Sequence, residues 1–181
     1  LSYVIEAIKL TRRALKAEIP LLGFAAAPFT LASYLIEGGS SRNYELTKTM
    51  IYSRPDLWQK LMDKLVDISA AYLSAQVAAG AQALQVFDSW VGCLSGRDYR
   101  NFVLPFSKRL IESLPQQVPV IHFGVNTAAI LPLLKEAGSD VIGLDWRVDL
   151  AKTWAELGDL CVQGNLDPCI LFADKEIIRA E

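Results

Sequence analysis

Short runs of consecutive apolar residues alternate along the chain with longer stretches in which apolar positions recur every three or four residues. The first rhythm suits strands buried on both faces, the second amphipathic helices. Tyr3, Val4, Ala7, Ile8 and Leu15 fall near one helical face. After Pro20, residues 21–25 form a short buried run, and residues 28–37 read as a helix with Pro28 in its tolerated first turn. Gly38 and Gly39 end it. A helix over residues 44–53 precedes Pro55, which starts a long one to about residue 79 with Leu57, Leu61, Leu65, Ile68, Tyr72 and Ala75 on one stripe. Gly80, lacking a Cβ, suits its left-handed cap. Residues 83–87, 120–123 and 141–144 read as strands, and Cys161 and Val162 open a last one. Helices are expected over residues 98–114, 128–137 and 150–157.

About five strands thus alternate with helices, and no strand shows clean in/out polarity. Near-continuous apolar strands joined by helical crossovers indicate a parallel sheet covered on both faces. An open doubly wound sheet and a (β/α)8 barrel both fit. No G-x-G-x-x-G follows any strand, which counts against a dinucleotide-binding sheet. A complete barrel takes about 250 residues, more than the 181 present. The chain starts at Leu1 inside a helical pattern and stops at Glu181 just after Ile177 and Ile178. It is therefore read as one partial barrel domain over residues 1–181, truncated at both ends.

Composition narrows the function classes. Apolar residues make up 52% and charged residues 21%, ordinary for a folded globular chain. A net charge of −2 supplies no basic field for nucleic acid. No apolar run approaches the ~20 residues that span a bilayer. Cys93, Cys161 and Cys169 are far apart and form no C-x-x-C pair, so they read as free thiols in a reducing compartment, expected to be the cytoplasm, or a plastid if the source is a plant or alga. With His122 the only histidine, a metal site is not expected.

In a parallel α/β fold, function collects at the carboxyl ends of the strands. Those ends carry Thr30; Phe87, Asp88, Ser89 and Trp90; His122 and Asn126; Asp145, Trp146 and Arg147; and Gln163, Asn165 and Asp167. Five polar, aromatic-rich ends in succession suit a flat, partly apolar ligand with several hydrogen-bonding edges. Taken singly, Asp88 and Asp145 are as well explained as helix caps, and Trp90 and Trp146 as filling. An acid/base pair of Asp88 and Asp145 requires the fold to bring them together. No spacing supports a triad of His122 with Ser89 or Ser95.

These same segments resemble the uroporphyrinogen decarboxylase family. GFAAAPFTLASYLIEGGSS (residues 23–41) resembles the family's GFAGAPFT strand end and its following helix and glycine loop, and GAQALQVFDSWVGCL (residues 80–94) resembles its GAQALQLFDSW block. IHFG (121–124), GLDWRV (143–148) and QGNLDP (163–168) follow in the family's order. The resemblance implies a homodimeric (β/α)8 barrel without cofactor or metal. Such an enzyme removes the four acetate carboxyl groups of uroporphyrinogen to give coproporphyrinogen, with the protonated pyrrole as electron sink. It implies that Tyr34 reaches a substrate carboxylate, that the Ser89 hydroxyl hydrogen-bonds substrate and that Phe87 lines the pocket.

The family's RQAGRY motif, its catalytic strand-end aspartate and its C-terminal NLGHG segment have no counterpart here, so the chain corresponds to roughly strands three to seven and is expected to be inactive by itself. Related corrinoid and thiol methyltransferases hold zinc partly through a His-x-Cys strand end. Here His122 is followed by Phe123 and Gly124, so the cysteine is missing. His122 is expected to be structural, a neutral imidazole hydrogen-bonded near the barrel mouth.

Overall fold

The apolar runs become five strands, each pairing in parallel with the next in chain order: β1 (Leu22–Ala26), β2 (Ala83–Asp88), β3 (Val120–Gly124), β4 (Val141–Gly143) and β5 (Cys161–Gln163). The computed structural model describes residues 2–39 and 41–180. Leu1 and Glu181, on which the reading of the ends relies, and Ser40 of the GGSS loop lie outside the described residues. Helices fill the intervals: α1 (Ser2–Ala14) before β1, then α2 (Pro28–Glu37), α3 (Glu45–Ser53) and α4 (Pro55–Ala78) before β2. α5 (Gly96–Phe102) and α6 (Leu104–Glu112) precede β3, α7 (Leu131–Glu136) precedes β4, α8 (Leu150–Leu157) precedes β5, and α9 (Lys175–Ala180) follows. Sequential parallel strands with helical crossovers on one side make this a five-stranded part of a (β/α)8 barrel.

The two sides of the sheet differ sharply. Leu84 and Val86 of β2, His122 of β3 and Ile142 of β4 face the helices and are at most 1% exposed. The register aligns Val86, His122 and Ile142 in one row. Opposite them lies a concave face on which Phe24 meets Phe87, and Phe87 meets Phe123, edge to face at 5.8 and 5.9 Å. Gly143 keeps this ladder in place, since a Cβ there would sit 2.8 Å from the Phe123 ring. Gln76 of α4 clamps β1 from the helix side: its Oε1 accepts the Phe24 N–H (3.0 Å) and its Nε2 donates to the Phe24 carbonyl (2.8 Å).

Two expected helices are broken, for one reason. The stretch 98–114 divides at Val103 (φ −126°, ψ −50°) into α5 and α6, and 128–137 begins as a 3-10 turn over residues 128–130 before α7. Pro105 and Pro132 each occupy the first turn of the later helix. A proline there has no N–H to continue an incoming helix, and its ring clashes with the carbonyl four residues back. The apolar periodicity runs through both points, which is why it conceals the breaks.

Candidate functional site

Chain direction puts all five strand carboxyl ends on one rim. At the β1 end, Ala27 donates its N–H to the Phe87 carbonyl (2.8 Å), and α2 starts at once with Pro28. Tyr34 stands one turn beyond Thr30 on α2, half exposed, with its ring 6.0 Å from that of Trp90. Trp90 is also 5.9 Å from Tyr44, which precedes α3 in a left-handed conformation (φ 56°). Tyr34, Tyr44 and Trp90, with Ser33, Gly39 and Ser41, enclose a cavity of about 370 Å³. Ser89 is half-buried in the turn between Asp88 and Trp90, and Phe87 looks onto the concave face. The three residues singled out by the resemblance thus occupy one corner of the rim.

Across the rim, Phe123, Trp146, Arg147, Gln163 and Asn165 line a cleft of about 480 Å³. Asp145 organises its wall, accepting the Asn126 N–H (2.5 Å), the Arg147 N–H (3.0 Å) and the Arg147 guanidinium (2.8 Å). That guanidinium also stacks 4.4 Å over Trp146, which is half exposed. Asn165 donates to the carbonyls of Asp145 (3.1 Å) and Val148 (2.7 Å), joining the loops after β4 and β5.

Neither aspartate caps a following helix. Capping falls to Ser95, which accepts the Asp98 N–H, and to Asp149, which accepts the Lys152 N–H. Asp88 is instead fully buried: Oδ1 accepts the Thr30 hydroxyl (3.1 Å) and Oδ2 lies 3.6 Å from His122 Nε2. Asp88 and Asp145 stand two strands apart with separate partners, so the fold makes no acid/base pair of them. The expectation of a hydrogen-bonded imidazole at the mouth is also corrected. His122 points to the helix side, fully buried, and neither ring nitrogen makes a hydrogen bond with a described residue. It falls there because strand side chains alternate, and residues 121 and 123 take the concave face.

Sequence reasoning missed Tyr44 and the Thr30–Asp88 bond. Neither carries a spacing signature, since Thr30 and Asp88 are 58 positions apart. The Tyr44 phenol is pushed up to about 12, by burial first and then by Cys93, Tyr34 and Glu37 nearby. A folded-state value raised above the ordinary 10 means that the unfolded chain releases this proton more readily. The contribution is intact below pH ~10 and is lost as pH rises towards 12. Tyr44→Phe is therefore expected to flatten the alkaline limb of the unfolding free energy over that range, as followed by urea titrations at stepped pH.

Among the described residues, no group of three or more His, Cys, Asp or Glu is placed to hold a metal ion, and no helix is long and apolar enough to cross a membrane. The family model for uroporphyrinogen decarboxylase (URO-D) matches residues 1–181.

The chain belongs to the uroporphyrinogen decarboxylase family.

Among curated relatives, a uroporphyrinogen decarboxylase of Carboxydothermus hydrogenoformans is 55% identical over 179 residues, covering 98% of this chain and 51% of the relative. One of Citrifermentans bemidjiense is 49% identical over 180 residues, covering 99% of this chain and 53% of the relative. The chain thus spans about half the length of the curated relatives it matches. Among solved structures, a methyltransferase from Methanosarcina mazei superposes with a TM-score of 0.79 at 22% identity, covering 90% of this chain and 48% of that one. That likeness concerns the fold alone.

Proposed function

We propose that this chain supplies part of the substrate-holding rim of a uroporphyrinogen decarboxylase, which converts uroporphyrinogen to coproporphyrinogen. The observation that carries the reading is that Tyr34, on the helix after β1, and Phe87 and Ser89, at the end of the neighbouring β2, belong to adjacent strand ends of one rim in a chain of this family. Each is chemically suited to its role. The Tyr34 phenol is a neutral donor for a substrate carboxylate, and the Ser89 hydroxyl can donate or accept beside it. Phe87, held between Phe24 and Phe123, offers an aromatic surface to a macrocycle of pyrroles.

Protonation of a pyrrole creates a cation that draws electrons from the neighbouring acetate. Cleavage of the C–CO2 bond returns that electron pair to the ring as carbon dioxide leaves, a proton adds to the resulting exocyclic methylene to complete the methyl group, and the ring gives back the proton it took, so one proton replaces each carbon dioxide. The chain's own residues act by holding carboxylate and ring so that the breaking bond is aligned, a contribution of position and fixed dipoles. The arginine motif and the aspartate that the family sets against the cation have no counterpart among these residues. By the same reading the enzyme works as a homodimer in the cytoplasm. Free Cys93, Cys161 and Cys169, and relatives drawn from bacteria, support that compartment.

The test places this chain, as the matching segment, in an enzyme of family length and follows porphyrinogen carboxylation by chromatography after oxidation. Progressive loss of acetate carboxyls to coproporphyrinogen is expected; a folded enzyme that leaves uroporphyrinogen unchanged overturns the reading. The 181 residues alone are expected to give no conversion above the uncatalysed background, and turnover by them would show that the missing motifs are dispensable.

A further inference from the structure

Behind the corner that carries Tyr34, Ser89 and Phe87 lies a buried polar chain that the substrate-holding role does not use. Asp88 and His122 are 0% exposed and Thr30 is 2% exposed. The Thr30 hydroxyl donates to Asp88 Oδ1 (3.1 Å), and its oxygen faces the Trp90 N–H at 3.4 Å. The other carboxylate oxygen, Asp88 Oδ2, faces His122 Nε2 at 3.6 Å and has no hydrogen-bond partner among the described residues. Every candidate site residue is mounted on this chain. Phe87 and Ser89 flank Asp88, Ser89 is clasped between Asp88 and Trp90, and Tyr34 stands one turn along α2 from Thr30.

A carboxylate shut away from water is costly unless it is paired and hydrogen-bonded. One neutral hydroxyl covers only one of the two Asp88 oxygens. Tyr99 of α5 and Cys93 of the 3-10 turn over residues 91–93, two ionisable groups that feel Asp88, are both pushed up chiefly by burial. They add no positive charge. His122 is the one described side chain that presents a nitrogen to Oδ2, and it comes from the next strand, so the contact spans β2 and β3. The 3.6 Å separation is a few tenths of an ångström longer than a hydrogen bond, and both groups are sealed from water.

We infer that Asp88 and His122 form a buried positioning pair, in which the imidazole Nε2–H restrains the carboxylate of Asp88. Through Thr30 and the Trp90 amide, that carboxylate sets the turn bearing Ser89 and the start of the helix bearing Tyr34. The inference rests on the site reading above for its functional consequence, but the pair itself is a statement about two side chains and stands on their geometry. His122 acts only through Asp88 and touches no substrate.

The test uses an enzyme of family length carrying this chain, with His122→Gln, His122→Leu and Asp88→Asn compared by kcat/KM and thermal melting. An amide can donate to Asp88 where an isobutyl group cannot, so His122→Gln is expected within about threefold of the parent. His122→Leu is expected to fall about ten- to a hundredfold while folded, because small displacements of positioning groups cost that much. The same protein, labelled with nitrogen-15 in its histidines, gives the direct readout. The His122 signals, assigned by their loss in His122→Gln, are expected to show a proton on Nε2 whose shift changes in Asp88→Asn. A bare Nε2 indifferent to Asp88→Asn overturns the pair, even where His122→Leu fails to fold. Parent-like kcat/KM in His122→Leu overturns the positioning role. Parent-like kinetics in Tyr34→Phe and Ser89→Ala would instead remove the site reading and leave the nitrogen-15 result to decide the pair by itself.

Discussion

Removing the Tyr34 hydroxyl by Tyr34→Phe, or the Ser89 hydroxyl by Ser89→Ala, is expected to lower kcat/KM about ten- to a hundredfold in an enzyme of family length carrying this chain. A hydrogen bond to a charged group is worth ~1.5–3 kcal/mol, and losing it from the transition state appears directly in kcat/KM. The fold should be indifferent to both changes. Tyr34 is 52% exposed, and its ring contact with Trp90 survives in phenylalanine. Ser89 lies in a turn and not in a packed layer. The double variant is expected to lose less than the product of the two single losses, because both positions adjoin Trp90 and groups in contact rarely act independently. Steady-state kinetics of the three variants, with melting curves as the folding control, decide it. Parent-like kinetics in both single variants would exclude these hydroxyls from substrate binding.

Trp58→Ala is expected to cost about 3–5 kcal/mol of folding free energy, as large aromatic truncations in cores do. Trp58 is 2% exposed on α4, meets Phe29 of α2 edge to face at 6.1 Å, and donates from its indole N–H to the Phe102 carbonyl (2.9 Å). It therefore joins the first rim helix, the long helix and the end of α5 at one point. Trp58→Phe should retain most of the packing and lose one hydrogen bond, about 1 kcal/mol. Urea unfolding of the three proteins gives the comparison. A loss below about 1 kcal/mol for Trp58→Ala would mean that the site collapses around the cavity or that the helix layer is not packed as described.

The legible parts of this protein are those governed by local rules. Five apolar runs bounded by Pro and Gly became five strands, and the chain of each ran on into a helix, which puts every carboxyl end on one side. Prolines were legible where they open a helix after a break, as at Pro28 and Pro55, and misread at Pro105 and Pro132. There the apolar rhythm continues across a backbone that cannot stay helical. The corner holding Tyr34, Ser89 and Phe87 could be named from motif resemblance. That Tyr34 and Tyr44 both lean on Trp90 could not, since ring contacts between separate loops leave no mark in spacing.

What the sequence determined by itself is the periodicity, the order of strands and helices and the identity of the family, because backbone propensity and hydrophobic burial act on neighbouring residues. Only the tertiary structure decided which polar strand-end residues face the concave side and which are sealed behind it. Asp88 and His122 looked like rim residues, yet both lie on the helix side, while Phe87 and Phe123, their immediate neighbours, face the open one. The physical reason is that a one-residue shift in strand register reverses every side chain. The register of β2 against β3 is set by pairing between segments more than thirty residues apart, such as Val86 with His122.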